Sequence, residues 1–79
     1  MNDRQALLEI ACERARQREA SSVAFELKEL FSKKEWKDLD RGVRRDLGKD
    51  FSYTVSKGDI ENLRYDGENQ FHHNMYLKS

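Results

Sequence analysis

The stretch that decides the fold is Ser32–Gly58, SKKEWKDLDRGVRRDLGKDFSYTVSKG. Ser32-Lys33-Lys34-Glu35 has the Ser-x-x-Glu form of a capping box, in which the hydroxyl accepts from the Glu35 amide and the carboxylate returns to the Ser32 amide. Trp36 and Leu39 then share one face of a short helix, with Trp36 placed in the core between this helix and the next. Asp40 stands where a short acceptor side chain caps a second helix starting at Arg41. Along that helix Val43, Leu47, Phe51 and Val55 recur every four residues and make one apolar stripe. Lys57 falls in its last turn and Gly58 at its C-terminal cap.

The opposite face carries Arg41, Arg45, Lys49, Ser52, Tyr53 and Ser56, with the acids Asp46 and Asp50 to one side. A helix with an apolar back and a cationic, hydrogen-bonding front has what a major-groove reader needs. A charged face that is simply solvated gives the same pattern. Gly48 lies mid-helix, where glycine costs about 1 kcal/mol relative to alanine; close approach of the preceding helix is the expected compensation. Arg44 flanks the stripe and is expected to lay its stem on the core and pair its head with a carboxylate such as Glu35.

Outward from this stretch, Leu7, Leu8, Ile10, Ala11 and Ala15 predict a first helix, capped by Asn2 or Asp3 and running to about Glu19. Arg14, Arg16 and Arg18 crowd its second half, where cations complement the helix dipole. It can pack on its own chain or pair with its copy in a homodimer. Val23-Ala24-Phe25 reads as a brief strand and Leu27–Phe31 as about one and a half helical turns facing the core through Leu27, Leu30 and Phe31. After Gly58, Ile60–Tyr65 and Gln70–Leu77 flank Asp66-Gly67, a two-residue hairpin signal. Either that turn or a four-residue loop, Asp66 to Asn69, closes the hairpin, pairing Tyr65 with Glu68 or with Gln70. Both registers put Ile60, Asn62, Arg64, Phe71, His73, Met75 and Leu77 on one face, expected to be the core side.

The chain has 79 residues, enough for one domain, and one this small buries only about 60% of its extended-chain surface. Hydrophobic residues are 37% and charged residues 38%, so the core is thin and the aromatic residues must supply much of it. Formal net charge is zero, which argues against strong indiscriminate DNA affinity. The charge is uneven, however: residues 32–58 hold eight Lys/Arg against five Asp/Glu, a net of +3. That places the cationic excess on the deciding stretch and favours an anionic partner there. Cys12 is alone, so no internal disulfide forms, which suits a reducing cytoplasm. Its expected role is that of a small buried hydrophobe. No run resembles a signal peptide or is long enough to cross a membrane.

No catalytic signature is present: nothing pairs a nucleophile with a base, and the chain is not read as an enzyme. His72 and His73 are adjacent in an expected strand and point to opposite faces, so no metal site and no cofactor is expected. Asp38, Asp40 and Asp46 are explained by capping and solvation.

The order of elements is strand, helix, helix, turn, helix, hairpin. The expected fold is therefore α+β, mostly α: a winged helix-turn-helix over residues 23–78, with an accessory helix at residues 1–19 and the hairpin as the wing. The run FELKELF…EWKDLDRGVRRDLGKDFSYTV with a hairpin ending in MYLK resembles an uncharacterised small family of Gram-positive bacteria, their phages and mobile elements. Phe25, Leu27, Leu30, Phe31, Glu35, Trp36, Arg44, Leu47, Gly48, Phe51, Val55 and Tyr76 carry the resemblance, over about residues 24–78. It implies a fold and a genomic setting but no chemistry. The expected function is that of a small regulator binding double-stranded DNA through Arg41, Arg45, Lys49, Ser52 and Tyr53, with Arg64 of the wing on backbone or minor groove. The alternative is a protein-interaction module that binds a host protein.

Overall fold

Ser32 and Glu35 close their capping box as the spacing requires. The Glu35 amide donates to Ser32 Oγ at 3.1 Å, and the Ser32 amide donates to Glu35 Oε1 at 2.8 Å. This starts α2 (Lys33–Lys37), and α3 (Arg41–Ser56) follows after a short turn in the computed structural model, which describes residues 4–79. Before them come α1 (Arg4–Gln17), β1 (Phe25–Glu26) and a 3-10 turn (Leu27–Leu30); after them come β2 (Leu63–Glu68) and β3 (Asn74–Lys78). The strands form one antiparallel sheet in the order β1-β3-β2. The architecture is α+β and mostly helical.

The core gathers residues from all these layers. Ala11, Cys12 and Ala15 of α1 meet Leu47, Phe51 and Val55 of α3, the stripe read from the sequence, with Val43 packed at its margin. Phe25, Leu27, Leu30, Phe31, Leu39, Ile60, Leu63 and Tyr76 complete it. Tyr76 is its hub: its ring lies edge-on to Phe51 at 4.9 Å and contacts Tyr65 and Phe25 at 6.1 and 6.2 Å. Such aromatic pairs add about 0.5–1.5 kcal/mol beyond area burial.

α3 ends by a Schellman motif. Gly58 adopts φ +78°, its amide donates to the Val55 carbonyl, and the Asp59 amide reaches the Thr54 carbonyl. Asp40 has the extended backbone of an N-cap, but its side chain makes no capping bond. α1 stops at Gln17 rather than Glu19, because Lys78 Nζ donates to the carbonyls of Ala15 and Arg16 at 2.9 Å each and so finishes the helix from the far end of the chain. The caps expected at Asn2 or Asp3 fall outside the described residues.

Further expectations are corrected. The brief strand sits one to two residues later than Val23–Phe25, because Phe25 pairs with Tyr76 and Glu26 with Met75; Val23 is 71% exposed. Trp36 is half-buried against Phe31, not a core residue. Arg44 does not pair with Glu35: it donates to the carbonyls of Trp36 and Lys37 at 3.0 and 3.3 Å, while Glu35 takes both guanidinium nitrogens of Arg14 at 2.8 and 3.0 Å.

The hairpin differs most. Tyr65 pairs with Tyr76, not with Glu68 or Gln70. Asp66 and Gly67, with Gly67 at φ +85°, stand opposite Met75 alone as a bulge. The turn moves to Asn69–His73, where Asn69 Oδ1 accepts from the amides of Phe71 at 2.8 Å and His73 at 3.1 Å. His72 and His73 thus lie in a turn. Ile60, just before β2, is buried as expected, but within the strands the core face is the other one. Leu63 and Tyr76 are buried, and Phe71, assigned to the core side, is 66% exposed.

Candidate functional site

α3 lies with its stripe on the core, and its two flanks meet different neighbours. On one flank Asp46 and Asp50 meet Arg4 of α1, Nε to Asp50 Oδ2 at 2.7 Å and NH1 to Asp46 Oδ2 at 3.6 Å. On the other, Arg44, Gly48 and Ser52 border a groove of about 780 Å³ between α3 and the tip of the hairpin. Between the flanks, Arg41, Arg45, Lys49 and Tyr53 follow one another every four residues along the exposed face. Among the described residues, Arg41, Arg45 and Lys49 form no ion pair, whereas Arg4, Arg14, Arg16 and Arg18 of the N-terminal region all do. Tyr53 is 64% exposed and Lys57 Nζ lies 4.9 Å from its ring centre.

The structure therefore brings together four of the six residues singled out in the sequence. Ser52 is half-buried at the Tyr76 hydroxyl; burial pushes the Tyr76 phenol up, and the side chains of Ser52 and Asn74 hold that rise down. Arg64 is elsewhere. Leu63 and Tyr65 face the core side of the sheet with Tyr76, so by strand alternation Arg64 lies on the outer face opposite Leu77, away from the α3 stripe.

The groove adds residues the sequence did not mark. Trp36 and Arg44 form one wall, the guanidinium 5.7 Å from the indole centre. His72, His73 and Asn74 form the other, with His73 Nδ1 2.7 Å from Glu26 Oε1. Gly48 is in the floor, and a Cβ built on it would meet nothing within 4 Å. The close approach of a neighbouring helix expected there is absent among the described residues. A mid-helix glycine was the one sequence signal for this groove.

The groove is one-sided in charge. Lys28, Arg44, Arg45 and Lys49 line it with a single acid, Glu26. The depression between α1 and α3 is mixed instead, with Arg4, Arg16 and Lys57 against Glu9, Glu13, Asp50 and Asp59. Cys12 borders that second depression but is buried, and burial pushes its thiol up, which disfavours the reactive thiolate. Among the described residues no three His, Cys, Asp or Glu gather as a metal site, and no helix is long and apolar enough to cross a membrane.

The profile of one family matches residues 15–78, from the last buried turn of α1 to the end of β3. The chain belongs to DUF1413, described as a domain of unknown function. No curated protein and no solved structure matches the chain. The DUF1413 match takes in the whole of α3, both walls of the groove and the sheet.

Proposed function

We propose that this DUF1413 protein is a winged helix-turn-helix that binds double-stranded DNA through the exposed face of α3. The topology supports the fold reading: helix, short strand, two helical turns, a long helix and a hairpin whose second strand pairs with β1. The observation that carries the function is the row Arg41, Arg45, Lys49 on α3, free of acidic partners among the described residues while Arg4 takes up the acids of the neighbouring flank. Unpaired cations on a helix backed by a core can release DNA counterions on binding. The resemblance to a family of Gram-positive bacteria and mobile elements fits a regulator acting inside a cell. Arg64 stands off this surface and is given no role in it. A dimer through α1 would have to use its outer face, where Ile10 is exposed.

The test is the double variant Arg45→Ala with Lys49→Ala. Neither side chain packs in the core, so thermal unfolding should match the parent to within about 0.5 kcal/mol. Affinity for duplex DNA should fall, and the dependence of log K on log salt should flatten by about 0.9 for each phosphate no longer neutralised. Unchanged DNA binding would remove this face as the reading surface. A second reading, a protein-interaction module, is favoured by Phe71 and Tyr53, large aromatic side chains exposed at the hairpin tip and on α3. It predicts that the same double variant loses a protein partner and that neither protein binds DNA at low salt.

A further inference from the structure

Gly48 has no conformational reason to be glycine. It lies inside α3, where the backbone is helical and any residue fits, and where glycine is destabilising relative to alanine. It has no packing reason either, since the space a Cβ would occupy is empty of protein within 4 Å. What the missing side chain does leave is a groove floor open down to the helix backbone. That floor is surrounded by Lys28, Arg44, Arg45 and Lys49, cations from two separate elements. The one acid lining it, Glu26, is held by His73 at 2.7 Å, with Lys28 at 3.9 Å.

We infer that this groove seats one sugar-phosphate strand of the DNA duplex, and that Gly48 is bare so that the strand can lie directly against α3. The inference rests on the DNA reading above and extends it. α3 and the hairpin tip are the two projecting elements of this face, and a duplex that touches both must carry a strand across the groove between them. Lys28, on the 3-10 turn, then meets the strand from a different element than Lys49 on α3. An acidic peptide would satisfy the same cations, but the groove lacks what holds an extended peptide. Binding by strand addition needs a free strand edge, and β3, the strand behind this groove, is covered by β1 at Met75 and Tyr76 and by β2 on its other side.

The experiment compares parent, Gly48→Ala, Gly48→Leu and Lys28→Ala by fluorescence anisotropy with a duplex of about two turns over a series of salt concentrations, alongside thermal melts. Gly48→Ala should melt above the parent, because the helix gains propensity and the space is open. Gly48→Leu should fold yet lose DNA affinity at least tenfold, with the leucine standing where the strand lies. Lys28→Ala, off the recognition helix, should flatten the salt slope by about 0.9, one phosphate. If the parent binds and Gly48→Leu and Lys28→Ala bind as it does, the groove inference is overturned while the α3 reading stands. A Gly48→Ala variant that melts below the parent overturns it too, by showing a structural need for glycine. If the parent fails to bind duplex DNA at low salt, the DNA reading falls and takes the inference with it. Loss of polyglutamate binding, but not of DNA binding, in Gly48→Leu would assign the groove to an acidic peptide and overturn the inference.

Discussion

Glu35 shows how much one side chain can join. It closes the capping box of α2 and also receives Arg14 of α1 through two nitrogens, while Arg14 NH1 donates to the Leu30 carbonyl at 3.0 Å. The Arg14 hydrogen bonds, followed by the Ser32 amide, lower the Glu35 pKa from 4.5 to about 2. Its folded value is below its unfolded value, so its contribution is complete above the unfolded pKa and is lost as pH falls through the folded one. The expected result is that the parent loses thermal stability between pH 4.5 and 2. Glu35→Gln, with no charge to protonate, should start lower at pH 7 and change less across that window. Equal slopes in melts at pH 7, 4.5, 3 and 2 would show that the acid sensitivity resides in other carboxylates. The capping role was legible because its residues are three apart; the pairing with Arg14 spans 21 residues and leaves no local trace.

Among the elements, α2 and α3 followed from the sequence and the hairpin register did not, for a physical reason. Helix caps and a four-residue stripe are local, and the capping box at Ser32, the stripe from Val43 to Val55 and the stop at Gly58 agree on one solution. Asp66-Gly67 is ambiguous, because a glycine at positive φ serves a two-residue turn and a bulge equally. Two facts decide for the bulge. Asn69 satisfies two turn amides further on, and the pairing of Tyr65 with Tyr76 puts Tyr76 against Phe51 and Phe25. The choice of core face did not depend on the register: Tyr65 shares a face with Tyr76 in either register read from the sequence and in the one formed, and that face turns inward because Tyr76 packs on Phe51 and Phe25. Two variants probe this balance. Gly67→Ala forces a side chain into φ +85° and should cost about 1–2 kcal/mol. Asn69→Ala removes the two bonds to turn amides and the weaker one from Nδ2 to Met75 Sδ, and should cost about 1–2 kcal/mol. Disappearance of the cross-peaks between the Tyr65 and Tyr76 rings in NMR spectra of either variant would show the register slipping; full retention with unchanged melting would mean the aromatic cluster alone holds it.

Across the whole molecule, the candidate site was legible in its charges and hidden in its shape. The surplus of cations on residues 32–58 and their spacing marked the exposed row Arg41, Arg45 and Lys49 on α3; the groove beside it depends on where the hairpin tip comes to rest, which follows from the register.

The same long-range packing decides what α1 is for. The core runs across the connector after Gln17: Ala11 and Ala15 are fully buried among residues of α3 and the sheet, and Lys78, next to last in the chain, closes the C-terminus of α1. Arg14 and Arg18 lie over the rings of Phe31 and Phe25 at 5.3 and 4.2 Å from the ring centres. A domain of this size has a stability of only about 5 kcal/mol to lose. Removing residues 1–19 uncovers Leu47, Phe51 and Phe25 together, so the remainder should lose its cooperative unfolding transition. Ala15→Glu makes the point without truncation, placing a charge where no water reaches. It should unfold the chain at 37 °C, whereas Ile10→Glu on the exposed side of the same helix should leave melting within about 0.5 kcal/mol of the parent. If the truncated chain and Ala15→Glu both melt cooperatively near the parent temperature, α1 is an appendage and the core is complete without it.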